Sequence, residues 1–510
     1  DSTGTAISAS NGVYTISAAG EYTATGKLSE GQIYVSAGDD DTVQVNLDGV
    51  SISNSSTVPI FVNNCADFDL KAKADSNNYL YDNRTTDYSG SDDDSVARGA
   101  VYSVNGDINV KGSGALYVWS AYNSGIHGKD NVSVKNVTMV VKAMNNGIRG
   151  NDKVTIKEGP TMGIVCGNNG IVTHNSDISD SGNQRGYVYI QGGNIIINSY
   201  GDGIDAAYNI EFSTSTDDEG NTYTPVVDVY TNIYSTYTVS SSSLTSLNAG
   251  PGGGGPGGSG SGGTTGGGPG DGGMTGGTSA EKADDSAKAF KAANAINIAA
   301  GQLYSYTYDD GYHTDTDALE NGSTGTGHIT VNDGTLTIKA SDDGMHAGGT
   351  LTIAGGTVYV EESHEGLEGN QIAIKGGNIV VYGNDDGINA SNAITISGGF
   401  LEVNVPNSGD VDGIDSNGTY TQTGGVVVAK GPSSDMSAPI DCDGTKKITG
   451  GTLIILGYSV SVSSSVSKIS GLSLHSSGSH TFKVGSTSYT INNNYSYSAT
   501  TCYSNSSVSA

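Results

Sequence analysis

The stretch Thr335-Leu-Thr-Ile338, Asp342-Asp343-Gly344-Met345, Thr350-Leu-Thr-Ile353, Gly355-Gly356 decides how this chain is read. Two runs of alternating apolar and polar residues flank an acidic Gly turn, and a Gly pair closes the unit. Alternation places every second side chain on one face of an extended strand. The unit returns along the chain. Its Gly-plus-apolar signature has the apolar members Ile126, Ile148, Ile171, Ile204, Phe290, Tyr312, Met345, Leu367, Ile388, Ile414 and Met436. Their spacings are 22, 23, 33, 86, 22, 33, 22, 21, 26 and 22. Gly pairs at 192-193, 355-356, 376-377, 398-399, 424-425 and 450-451 form a second column. One such period cannot bury its own apolar side chains, but stacking periods at about 4.8 Å lines them into a continuous core. The expected fold is all-β: a right-handed parallel β-helix with rungs of about 22 residues, capped by N- and C-terminal β segments. The hand follows the general preference of parallel crossovers. Eleven rungs would make a rod about 50 Å long.

Composition agrees with a turn-rich β chain. Of 510 residues 77 are Gly, only 15% are charged, and Tyr outnumbers Phe 29 to 6, whereas long amphipathic helices need more Ala, Leu, Glu and Lys. The 23 Lys and Arg against 53 Asp and Glu leave a net charge of −30, which excludes nucleic acid as a partner because a polyanion needs a basic face. No stretch approaches 18 apolar residues, so no membrane insertion is expected. The chain begins at Asp1 with no charged-then-apolar leader, and its acidic Gly/Ser/Asn-rich character reads as the mature form of an extracellular or cell-surface protein. Cys65, Cys166, Cys442 and Cys502 lie far apart without CxxC spacing, so they form neither a zinc ribbon nor a redox motif. One disulfide, two or none remain open.

The repeat divides the chain. Residues 1–95 read as an N-terminal β segment, cap and first rungs, and 96–213 as the first half of the helix. Residues 214–288 read as an insertion with a Gly-rich tract at 250–277, 289–457 as the second half with an acidic turn column, and 458–510 as a C-terminal β tail or cap. The Gly-rich tract is a solvated linker or loop by composition. Its chance GxGxxG matches lack the strand-loop-Lys-Ser/Thr context of a phosphate site. Residues 279–295 are helical by propensity, yet Phe290 stands 22 before Tyr312, which makes at least their second half a rung.

The chemistry lies in the acidic turns. In the first half the residues before each column Gly are Ser124, Asn146, Asn169 and Asp202, and turn geometry alone accounts for them. In the second half they are Asp309-Asp310, Asp342-Asp343, Glu365, Asp385-Asp386 and Asp412, with Glu362, Glu368, Asn389, Asp410 and Asp415 close by. Carboxylates in register would lie about 5 Å apart and repel by roughly 3 kcal/mol per pair at an effective dielectric near 20. Several such pairs would threaten a fold worth on the order of 10 kcal/mol. No Arg follows Arg185, and Lys339, Lys375 and Lys430 are too few to neutralise them. A hard cation taking six to eight oxygens is the natural partner, and calcium accepts irregular stacked geometry. His346 and His364 lie beside these acids without HxH or HExxH spacing, so zinc is disfavoured.

The runs Ser341-Asp-Asp-Gly-Met-His-Ala347, Glu362-Ser-His-Glu-Gly-Leu-Glu-Gly369, Asn384-Asp-Asp-Gly-Ile-Asn-Ala390 and Asp412-Gly-Ile-Asp-Ser-Asn417 resemble the clostridial-type calcium-binding, carbohydrate-binding parallel β-helix family of pectate-lyase-like architecture. The resemblance runs from Gly12-Val-Tyr-Thr-Ile16 to Gly450-Gly451 and is specific over 309–417; the tail after Gly457 departs from it. It implies a secreted or surface-attached β-helix that holds calcium on the Asp and Glu turns and binds plant cell-wall polysaccharide, notably polygalacturonate. A cation with open positions would bridge protein and uronate carboxylates, with Tyr359, Tyr382 and Lys375 as sugar contacts. Catalysis is not expected, because a lyase needs a base beside the carbon α to the uronate carboxylate, and only Lys339 and Lys375 are near in sequence. Hydrolysis by paired Asp conflicts with a metal occupying those acids. A further reading is a structural subunit stacking head to tail through unpaired strand edges into a surface filament.

Overall fold

The computed structural model describes residues 7–85, 96–232, 286–432 and 437–510. Alternating burial along the strands builds three columns of parallel pairing. Column A contains Asp67–Ala72, Asp107–Lys111 and Asn131–Lys135; column B contains Asn77–Asp82, Ala115–Ser120 and Thr138–Ala143; column C contains Gly99–Ser103, Ser124–Gly128 and Ile148–Gly150. Each strand pairs in parallel with its counterpart one repeat further on. Along column C, Ile126, Ile148, Ile171, Ile204, Phe290, Tyr312, Met345, Leu367, Ile388 and Ile414 stand in register and have no exposed surface. They join the inward residues of columns A and B in one core. Each buried Ile or Leu contributes about 1.5–3 kcal/mol of apolar transfer.

The expected right-handed β-helix of uniform 22-residue rungs with β caps is corrected by these pairings. The described residues form an all-β, helix-free structure whose main body is a single 41-stranded, closed sheet, parallel except at its two ends and barrel-like in enclosing one core. Three features overturn the rung picture. Long strands such as Thr42–Asn54, Lys153–Cys166 and Tyr187–Ser199 turn the corner between columns A and B, and Met345–Ile353, Leu367–Ile374 and Ile388–Ile396 turn the corner between C and A. Strands of the N-terminal segment belong to the sheet itself, Thr42–Asn54 pairing in parallel with Asp67–Ala72 and Asn77–Asp82. Finally, the pairings give strand direction and register without a uniform step. The physical reason is that hydrogen bonding requires each residue to meet its counterpart and sets no fixed length for the connecting turns.

Glycines tighten two corners. Gly356, Gly377, Gly399, Gly425 and Gly451 turn between columns A and B with φ of +78°, +88°, +81°, +71° and +82°, a region that L side chains rarely adopt. Gly366 and Gly387 precede column C, where a Cβ would lie 2.0 and 2.1 Å from Cγ1 of Val381 and Val403, so a side chain there would push the acidic turn off the core.

The C-terminal tail folds back. Thr500–Ser504 pairs antiparallel with Thr452–Leu456, and Gly478–Val484, Thr487–Asn493 and Val508–Ser509 form a three-stranded sheet. Phe482 and Ile491 of that sheet pack with Val428 and Ile454 in a second core. Fully buried Lys430 ties the two together, its Nζ 2.5 Å from Glu402 Oε1, 2.6 Å from Asn404 Oδ1 and 2.8 Å from the Asn492 carbonyl. Val226–Thr231, within the expected insertion, is a strand of the main sheet. The Gly-rich tract 250–277 and Met436 lie outside the described residues; the residue that follows Ile414 in the core is Ile440. Residues 290–292 and 295–298 are strands, so packing overrides helical propensity there. All four cysteines are buried free thiols.

Candidate cation and carbohydrate site

Among the described residues no strand crosses the corner between columns B and C. Two ladders of side chains line it. One comprises Asp202, Lys288, Asp310, Asp343, Glu365, Asp386 and Asp412, set by successive turn hydrogen bonds. The other, one residue past each buried apolar, comprises Asp205, Lys291, His313, His346, Glu368, Asn389 and Asp415. Strand pairing brings in-register positions within about 5 Å.

The ladder divides electrostatically. At one end basic groups are built in. Lys288 Nζ lies 2.5 Å from Asp309 and 3.5 Å from Asp310, and His313 bridges Asp310 at 2.6 Å and Asp315 at 2.9 Å. Burial would raise the Asp310 carboxyl, but the His313 hydrogen bond and the Lys288 charge hold it below its ordinary range. His346 Nδ1 lies 3.1 Å from Asp343 and 2.5 Å from Glu368. Burial disfavours the imidazolium, yet those two carboxylates push its pKa up to about 10. Burial raises Asp343; it raises Glu368 too, but hydrogen bonds from His346 and Asp343 override it and hold Glu368 down. His364 Nε2 stands 3.8 Å from Asp385. Lys288, Lys291 and His346 are counter-charges beyond Lys339, Lys375 and Lys430.

The repulsion argument therefore applies with full force only further on. Burial, then the Glu368 charge, pushes Glu365 up to about 7. Burial and the Asp412 and Asp385 charges push Asp386 to about 7, and burial with Asp415 and Asp441 pushes Asp412 to about 6. Asp415 is raised by burial and by Asp441. Carboxylate oxygens of Asp412, Asp415 and Asp441 all lie within 4.8 Å of one another, and among the described residues the one cation bonded to this trio is Lys446, 3.2 Å from exposed Asp441. An all-oxygen donor set of this kind fits a hard cation. The group Asp343, His346 and Glu368 adds a nitrogen and already carries its own positive charge, which fits calcium less well.

The structure places the expected residues unequally. Asp342 and Asp343 meet His364, and Asp342 also meets Asp309 and Asp310; Glu365 and Asp385 meet His364; Asp412 and Asp415 meet Asp441. Asp386 Oδ1 accepts the Asp412 N–H at 2.8 Å, and Asn389 Nδ2 donates to both Glu365 oxygens at 3.2 and 3.1 Å. Glu362 stands apart at the end of its column B strand, paired with Lys339 at 2.9 Å, and Asp410 accepts from Ser437 at 3.2 Å. Tyr359 and Tyr382 meet at 6.1 Å with planes at 79°, so they do not offer one flat face. Tyr382 instead borders a cavity of about 200 Å³ shared with Glu361, Asn404, Tyr495 and Tyr497. Lys375 sits beyond Ile374 at the A–B corner, a full strand length from Tyr382, and the two do not form one contact. Asp441 escaped the sequence reading because the repeat was followed to Met436. Its signal was the pair Ile440-Asp441, spaced 26 from Ile414-Asp415 as that pair is from Ile388-Asn389.

A family model described as carbohydrate-binding domain-containing protein matches residues 10–326 and 314–366. The chain belongs to that family. A carbohydrate-binding domain-containing protein of Acetivibrio thermocellus is 31% identical over 107 residues, 21% of this chain and 37% of the relative, so the likeness spans little more than a third of that protein. A solved structure of a polysaccharide lyase-like protein from C. thermocellum, a gadolinium derivative, is 28% identical, covers 45% of this chain and 86% of its own, and superposes with a TM-score of 0.40. The residues matched to the carbohydrate-binding family take in the ladder as far as Glu365 and stop short of Asp386, Asp412, Asp415 and Asp441. No helix of the described residues is long and apolar enough to cross a membrane.

Proposed function

We propose that the chain is an extracellular carbohydrate-binding protein that takes acidic cell-wall polysaccharide, of the polygalacturonate type, through calcium and without cleaving it. The observation that carries this reading is the trio Asp412, Asp415 and Asp441, whose oxygens lie within 4.8 Å of one another. Asp386 and Glu365 stand on the preceding turns as further oxygen donors. Bound calcium supplies a positive charge that carboxylates on both sides can share. The protein residues position that charge at an outward corner where an extended polymer can lie along successive turns. Binding without cleavage is supported by the engagement of the nearby lysines: Lys430 is buried against Glu402, and Lys446 bonds Asp441 and the Cys442 carbonyl at 3.1 Å. Neither is placed as a free base. The head-to-tail filament reading gains no support, because Thr500–Ser504 occupies the last edge of column B in antiparallel pairing.

Retention on immobilised polygalacturonate, measured with calcium and with a chelator, tests the reading. Calcium should strengthen retention of the full chain and leave retention of D412N/D415N unchanged. Equal calcium responses of parent and variant would overturn it, and release of unsaturated uronate would replace binding by lyase activity.

A further inference from the structure

One line of side chains on the outward face of column A is opposite in sign to the acidic corner. Lys71 is paired with Lys111, and Lys135 with Lys157, while Val110 lies against Val134 and so sets Lys111 beside Lys135. Four lysines thus stand in line on four successive strands, about 5 Å apart, in a chain with only 23 basic residues against 53 acids. Each is half-buried at an outward position of its strand. Two have acid partners, Lys111 with Asp69 at 2.6 Å and Lys135 with Glu158 at 3.1 Å. Lys71 and Lys157 make no ion pair with a described residue. The line itself holds four lysines against the two acids paired to it, while Asp67 and Asp107 stand at the starts of two of its strands and Glu211 lies beside Tyr189 on the strand beyond.

An aromatic surface adjoins it. On the next strand Tyr187 lies beside Lys153, Tyr189 beside Thr155 and Gln191 beside Lys157. The Tyr187 and Tyr189 rings are parallel, 5.1 Å apart with planes at 7°, and Tyr208 meets Tyr187 edge-on at 5.2 Å. Both tyrosines are half-buried at outward positions of their strand. Flat aromatic rings with polar tips suit the apolar faces of sugars, and ammonium groups suit their carboxylates. Lysines and tyrosines together lie within the unbroken segment 10–326 that carries the family likeness.

We infer that the column A face formed by Lys71, Lys111, Lys135 and Lys157 with Tyr187 and Tyr189 is a second, metal-independent binding surface for a uronate-bearing polysaccharide. It shares with the proposed function only the class of polymer. The lysines take successive carboxylates along the strand-stacking direction, and the tyrosine pair takes sugar rings beside them. Column A is a different face from the B–C corner, so the two surfaces can be emptied separately.

The test is binding of the full chain to soluble polygalacturonate in a chelator, by affinity electrophoresis or calorimetry. The parent should bind at low ionic strength and weaken steeply as salt rises from about 0.02 to about 0.3 M, as screening shortens the reach of the charges. K135Q/K157Q should lose affinity about tenfold or more, equivalent to about 1.4 kcal/mol, with unchanged melting, and K135R/K157R should restore it. Y187A/Y189A should weaken binding without changing the salt slope. D412N/D415N should bind in chelator as the parent does, having lost only the calcium increment. If the parent binds with calcium alone, or K135Q/K157Q binds in chelator like the parent, this inference falls and the cation reading stands. Absence of binding under both conditions would bring down both.

Discussion

Asp386→Asn should act in opposite directions with and without calcium. Asp386 accepts the Asp412 N–H at 2.8 Å, a bond that an Asn oxygen keeps, so the substitution removes charge and little else. Burial and the Asp412 and Asp385 charges raise its pKa to about 7, so at pH 8 in chelator the carboxylate is ionised against its surroundings. One neighbouring charge at about 5 Å costs roughly 3 kcal/mol at an effective dielectric near 20. Solvent access at this half-buried corner reduces that to about 2 kcal/mol. With about 2.1 cal/mol/K of unfolding entropy per residue, a chain of this length gains about 2 °C in Tm from that relief. Calorimetry at pH 8 in chelator should therefore find D386N more stable than the parent. In excess calcium the order should reverse, because ligand binding stabilises the parent native state by mass action and the variant has lost a donor. A D386N that melts lower in chelator would mean that the acid is a structural hydrogen-bond acceptor whose charge is already compensated. Equal stabilisation of both proteins by calcium would mean that the cation binds elsewhere.

Three further outcomes follow from the same structure. Glu365, Asp386 and Asp412 keep protons in the fold up to about pH 7, 7 and 6, whereas unfolded carboxylates release theirs near pH 4, so the native state binds more protons in that window. Their contribution is fully present below about pH 4 and lost as pH rises through about 7, so a pH series of melts in chelator should lose less stability across that window in E365Q/D386N/D412N than in the parent. Lys430→Ala would leave Glu402 buried without its partner and should cost about 3–5 kcal/mol, with early protease cleavage in the tail strands Gly478–Val484 and Thr487–Asn493; tail protection equal to the parent would contradict the anchoring role. Burial raises the Cys65, Cys166 and Cys442 thiols to about 12 and Cys502 to about 11, so thiol reagent should titrate almost no cysteine in the native protein and all four after denaturation without reductant.

Sequence periodicity determined the strands and the core. Alternation in Thr335–Ile338 and recurrence of Gly-apolar pairs sufficed, since strand faces obey a two-residue rule and an unburied repeat must stack. From those regularities the buried line from Ile126 to Ile414 was legible, and so were the acids beside it. Corners were not. Whether a chain turns sharply at Gly377 or runs on as a strand through Glu158 to Thr161 depends on how neighbouring strands pair, and that turned expected rungs into one closed sheet. Charge compensation was hidden for the same reason. Lys288 and Lys291 are 85 or more residues from Asp202 and Asp205 in the chain, yet pairing places them next on the ladder, and His346 reaches Glu368 only because their strands are in register. Sequence alone determined that many acids share one face, because spacing carries that information. Which acids remain without a counter-ion, and that lysines from 71 to 157 stand in line on another face, was decided by tertiary structure, because Coulomb energy depends on distance in space.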